Sequence, residues 1–138
     1  MEFKEISGIV LNHYIDEVLK FSYIKFLTNT TLESIKLPLQ SGGSKHYHLL
    51  NPSYLLHIEI VKTRKNWILK NITKYSKISN PHEYADFIKQ AEIVKITLSH
   101  ILVDQEVSVL EFFTKAMENI KNTELKSYEN TLLTELGF

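Results

Sequence analysis

The chain has 138 residues, 43% of them hydrophobic and 11% aromatic, with equal numbers of cations and acids and no cysteine. That length holds one compact domain or two small modules, and the apolar content is that of a folded chain rather than a disordered one. The composition excludes disulfides, thiolate metal sites and cysteine nucleophiles, and no run approaches the 18 apolar residues that would span a bilayer.

Neutrality is an average of two opposite halves. Residues 1–80 carry eleven cations against six acids, a net +5, and residues 81–138 carry five against ten, a net −5. A split of this kind points to different partners for the halves, a polyanion for the basic one, or to charge balance between two touching modules. The opening Met1-Glu2-Phe3-Lys4-Glu5 has no basic stretch leading into an apolar run, so a cytoplasmic chain is expected, neither secreted nor in a membrane.

From Ile6 to Lys77, short runs rich in β-branched and aromatic residues alternate with turn chemistry, which predicts strands near 6–13, 18–28, 31–37, 48–62 and 66–75. Asn29-Thr30 and the polar stretch Lys62 to Asn66 read as hairpin connections, and Ser41-Gly42-Gly43-Ser44 as a loop. Five strands without a helical crossover predict an antiparallel sheet closed into an OB-like barrel over residues 1–79.

The pattern changes at Ser79-Asn80-Pro81, where Asn80 is placed to cap a helix with Pro81 at its first position and Glu83 and Asp86 in the first turn. Apolar residues then recur at helical spacing from Tyr84 to Leu102, until Asp104-Gln105-Glu106 breaks the pattern. A second helix is expected from about Ser108, with Leu110, Phe113, Met117 and Ile120 on one face, and a third from Glu124 to Leu136, capped by Gly137. The expected class is α+β, an N-terminal OB-like barrel followed by a small helical module over residues 80–138.

Chemistry-bearing motifs are sparse. His46-Tyr47-His48 would set two imidazoles on one side of a strand, but only His57 is close in sequence, His13 must come from another strand and no carboxylate adjoins. A polar strand surface is the preferred reading. Asp16-Glu17 reads as a solvated turn, and no nucleophile elbow, HExxH helix or phosphate-cradling glycine loop occurs. No catalytic residue, metal or cofactor is expected.

The stronger signal is Lys62-Thr63-Arg64-Lys65-Asn66-Trp67-Ile68-Leu69-Lys70, continued by Lys74, Tyr75 and Lys77. Cations interleaved with an aromatic residue suit single-stranded nucleic acid, because charges track phosphates while exposed rings stack on bases. Lys45 and Tyr47, beside the glycine loop, would extend that surface. The candidate contacts are therefore Lys45, Tyr47, Lys62, Arg64, Lys65, Trp67, Lys70 and Lys74, with burial of Trp67 in the barrel the competing role. Strand alternation puts the even-numbered cations on one side if no bulge or turn resets the phase, but Lys62 to Asn66 reads as such a turn, and Trp67 then points away from Lys70 and Lys74.

Several stretches resemble one family, the bacterial recombination mediator and DNA repair protein RecO. Gly8-Ile9-Val10-Leu11 is similar to its opening strand, and the run from Glu17 through Leu19, Phe21, Ile24, Phe26, Leu27 and Thr28 to its second. Leu49-Leu50-Asn51-Pro52-Ser53-Tyr54-Leu55-Leu56-His57-Ile58-Glu59-Ile60 resembles the family's leucine, glutamine-proline and alternating hydrophobic strand. Leu132-Leu133-Thr134-Glu135-Leu136-Gly137-Phe138 resembles a recurrent leucine-rich helix ending. Two departures stand beside these. The stretch Lys36 to His48 lacks most of the family's basic loop, and the chain ends at Phe138 without the family's further region and its cysteine zinc site, as a short member or the leading part of a longer one would.

The resemblance implies a non-enzymatic DNA repair and recombination mediator. Its barrel would bind single-stranded DNA, and its helical module would contact proteins, among them single-strand-binding protein and RecR, to promote recombinase loading and strand annealing. A protein interaction adaptor that kept the barrel but lost nucleic-acid affinity is the alternative, with Phe87, Phe112 or Phe113 lining a groove or, in the competing reading, forming core. An RNA-binding OB module is the third reading.

Overall fold

The computed structural model describes residues 2–16, 18, 21–37 and 44–138, and excludes the side chains of residues 44–46. Five strands come first: β1 (Glu2–Asp16), β2 (Phe21–Thr28), β3 (Leu32–Leu37), β4 (Tyr54–Thr63) and β5 (Asn66–Lys77). Three helices follow, α1 (Tyr84–His100), α2 (Leu110–Glu118) and α3 (Leu125–Glu135), with short 3-10 helices at Ser44–Leu49 and Ile120–Asn122. The class is α+β, as the sequence predicts.

The strands close into one sheet in the order β1-β2-β3-β5-β4, with β1 pairing both β2 and β4. The expectation of an antiparallel sheet holds for four of the junctions and fails at the fifth. There β3 and β5 run parallel and, among the described residues, meet through one registered pair, Lys36 with Ile68. Period-two alternation fills the interior with Val10, Ile24, Phe26, Ile35, Leu56, Ile58, Ile60 and Leu69, all buried, and Leu49 and Leu50 join them from the 3-10 helix and the turn after it. Burying each such side chain stabilises the fold by about 1.5–3 kcal/mol.

The opposite face of the same strands is apolar where helices cover it. Ile9, Leu11, Leu27 and Leu32 pack with Ile93 of α1, Phe113 and Met117 of α2 and Leu132 of α3, so sheet and helices share a second core. Inside it the Thr97 and Tyr128 hydroxyls bond at 2.6 Å, and Gln90 Nε2 donates to Ser53 Oγ at 2.9 Å, tying α1 to the start of β4. The segment between α1 and α2 is also anchored to the sheet: Asp104 N donates to Leu32 O and Val107 N to Thr30 O. Among the described residues, no helix is long and apolar enough to cross a membrane.

Three local expectations are corrected. The strand expected over 48–62 begins only at Tyr54, because Pro52 has no N–H for a ladder and Asn51 builds a turn, its Oδ1 accepting from Ser53 N and its Nδ2 donating to His48 O. His46 and His48 therefore lie on a 3-10 helix and not on one side of a strand. Helix α1 starts at Tyr84 behind Glu83, not at Pro81, since Ile78 N and Ser79 N both donate to Ser53 O and keep the chain bound to the sheet. Asn80 instead places its Nδ2 2.9 Å from His82 Nε2.

At the other end, Gly137 adopts φ +90°, its N–H donates to Thr134 O and that of Phe138 donates to Leu133 O. This paired closure terminates α3 as the glycine predicts. Phe113 is fully buried, Phe112 stacks on Tyr128 at 4.9 Å, and Phe87 is half exposed, so only the last is left for a surface role. Residues 41–43 of the glycine loop and Glu17 of the carboxylate pair lie outside the described residues.

Candidate nucleic-acid interface

Strands β4 and β5 join through a two-residue loop, Arg64 and Lys65, which pairs Thr63 with Asn66 and sets Lys62 opposite Trp67. Arg64 holds φ +54°, a conformation that such loops normally give to Gly, Asn or Asp. The loop resets the phase, so Lys62 and Trp67 share the inward side, where β1 brings Lys4 beside them through its pairing with Ile60.

Trp67 is half-buried on the interior cluster. The ammonium of Lys4 lies 4.4 Å from its ring centroid and that of Lys62 lies 5.6 Å away. A cation over an aromatic face gains about 0.5–1 kcal/mol at an exposed site, enough to bias two long side chains toward one place. Lys4 also pairs with Glu33 at 3.4 Å. A cleft of about 330 Å³ opens here, lined by Lys62, Lys65, Trp67, Ser34, Glu33 and Asp104. Cations and two carboxylates thus face one another at the end of the closed sheet.

The eight expected contacts do not form one surface. Lys62, Arg64, Lys65 and Trp67 meet at the hairpin. Lys70 and Lys74 lie on the outer side of the sheet, with Lys70 3.8 Å from Glu59 and 4.7 Å from the Phe3 centroid, and Lys74 in register with His57. The two-residue loop causes this separation, because it turns Trp67 to the inward side with Lys62 and so leaves Lys70 and Lys74 outward; the two bulges that leave Lys70 and Thr73 unpaired cancel in phase, and Trp67 points away from both lysines. Tyr47 sits on the 3-10 helix with its ring 5.5 Å from His13, near the other end of β1. Burial pushes that imidazole below its ordinary value, and its Nε2 lies 2.6 Å from Ser22 Oγ. The Lys45 side chain lies outside the described residues.

A second concentration of chemistry, made of residues outside the eight expected contacts, occupies the outer face of β1, β2 and β3. Tyr14, Tyr23 and Lys36 are aligned across the three strands. The rings of Tyr14 and Tyr23 stack at 5.5 Å with planes 17° apart, and Phe21 meets Tyr23 edge-on at 6.4 Å. Lys36 Nζ lies 3.2 Å from the Phe21 centroid, and Lys25 is registered with Ser34, which also lines the cleft at the hairpin. The available signal was the alternation Phe21-Ser22-Tyr23-Ile24-Lys25-Phe26, in which Ser22, Ile24 and Phe26 are buried and the two aromatics and the lysine face out. No family model matches the chain, and no curated protein matches its sequence.

Proposed function

We propose that this chain is a non-enzymatic DNA repair and recombination mediator, in which an OB-like barrel binds single-stranded DNA and the helical module contacts repair proteins. The observation that carries the reading is the clustering of Lys62, Arg64 and Lys65 at the β4–β5 hairpin, with Lys4 and Lys62 held over Trp67. Strand order β1-β2-β3-β5-β4 supports the OB-like assignment, and the loop between the fourth and fifth strands is one of two that grip oligonucleotides in that fold. Binding needs no bond chemistry: displaced counterions supply the free energy.

Fluorescence anisotropy with a labelled oligonucleotide across a salt series tests this. Three phosphates neutralised at the hairpin give a slope of log affinity against log salt of about −2, at roughly −0.7 each for a single strand. No binding at low salt sinks the reading.

An interaction adaptor is favoured by a different observation. Glu33 and Asp104 line the cleft, and Glu33 already pairs with Lys4, which lowers the positive field a phosphate would meet. Pulldown of RecR and single-strand-binding protein that is indifferent to added DNA supports the adaptor. A preference for RNA in direct competition supports an RNA-binding module.

A further inference from the structure

We propose that the outer face of β1–β2–β3 is a base-stacking platform, in which Tyr14 and Tyr23 take unpaired bases while Lys25 and Lys36 take the flanking phosphates; it deepens the DNA-binding reading and rests on it. Four observations converge on this face. The first is the bulge in β1. Register runs from Val10 with Phe26 to Asn12 with Lys25, leaving Leu11 as the extra residue. Without it, Tyr14 would share the phase of Val10 and point into the interior. With it, the phase inverts and Tyr14 stands outside beside Tyr23.

Exposure is the second. Tyr14 is 39% exposed, and neither it nor Tyr23 belongs to the core that these strands share with the helices, so a base can extend the two-ring stack there. Base-on-aromatic stacking tolerates any sequence, since every base has a π face. Charge is the third: among the described residues neither Lys25 nor Lys36 has a carboxylate partner, and Lys36 rests on a ring. Position is the fourth. Lys36 is bridged to Ile68, which faces out while its neighbour Trp67 faces in, so the platform adjoins the strand that leaves the Arg64-Lys65 loop, on adjacent strands about 4.8 Å apart. A strand lying across β1, β2, β3 and β5 runs from the rings over Lys36 toward the Arg64-Lys65 loop.

The test compares a labelled oligo-dT with an abasic oligonucleotide of equal length. Tyr14→Ala and Tyr23→Ala are each expected to weaken oligo-dT binding about ten-fold with an unchanged salt slope, to leave abasic binding at the wild-type level, and Tyr14→Phe to bind as wild type. Lys36→Gln is expected to lower the slope for both probes by about 0.7. Because a tyrosine variant that loses its fold loses both probes, wild-type chain is also photo-crosslinked to bromodeoxyuridine-substituted oligonucleotide. The platform requires the adduct at Tyr14 or Tyr23. Unchanged oligo-dT binding by both alanine variants, or adducts elsewhere only, overturns the platform and leaves the hairpin reading standing. A wild-type chain that binds neither probe overturns both.

Discussion

Lys62 and Trp67 face each other across the β4–β5 hairpin, with the ammonium 5.6 Å from the ring centroid. The pair couples packing to charge. The ring is anchored in the interior, and the cation it steadies stands at the mouth of the cleft.

The two groups of lysines should therefore separate by salt dependence. Lys62→Gln and Lys65→Gln together are expected to make the anisotropy slope shallower by about 1.4, from about 0.7 for each lost phosphate contact. Lys70→Gln with Lys74→Gln, on the other side, should leave the slope unchanged. Equal effects from both pairs would refute the division.

Arg64 carries a backbone cost. A left-handed φ costs a residue with a Cβ roughly 1–2 kcal/mol, and glycine's greater unfolded freedom returns about 0.5–1 kcal/mol of that difference. Arg64→Gly should leave urea stability equal or raise it by up to about 1.5 kcal/mol. It should also weaken oligonucleotide binding through the missing cation. A strained position kept for its charge behaves in this way.

Gly8 is where β1 pairs with β2 and β4 at once, in register with both Thr28 and Leu56. A Cβ there would fall 2.1 Å from Leu27 O and 2.9 Å from Phe26 Cε2, in contact with backbone that cannot yield. Gly8→Ala is expected to cost about 3 kcal/mol or to block folding, read by urea denaturation.

Alkaline stability should report Tyr128. Burial raises its hydroxyl to about 12 from an ordinary 10, against a smaller opposing effect of the Thr97 bond. Its stabilising contribution is complete below pH 10 and is lost between 10 and 12, where the unfolded phenol ionises and the folded one holds its proton. The loss over that window is on the order of 2–3 kcal/mol. Tyr128→Phe should flatten the urea midpoint over the same window.

Legibility in the sequence depended on whether a signal had a period or a composition. Alternation in Phe21 to Thr28 and helical spacing from Tyr84 marked elements because burial imposes those periods. The polar turn before Asn66 and the glycine at 137 were readable because their backbones need special residues, even though Arg64 took the place of the expected type. Bulges have no such mark. Leu11 is an ordinary strand residue, yet it inverts the phase of the residues after it, so that alternation from Val10 sends Tyr14 inward where the structure turns it out; the bulges at Lys70 and Thr73 are as silent, but their two shifts cancel by Lys74. Asn51-Pro52 carries a turn signal that the hydrophobic run around it masks.

The ring of strands has a seam. Long antiparallel ladders hold every junction except that between β3 and β5, where, among the described residues, Lys36 and Ile68 alone are in register. Thermal opening starts where the fewest bonds must break, so the amide protons at this junction should exchange with solvent ahead of the other strands. Whatever lies over Lys36 spans the gap. If the platform takes a strand there, its binding energy also works as a clasp, and the ring is then held shut most firmly.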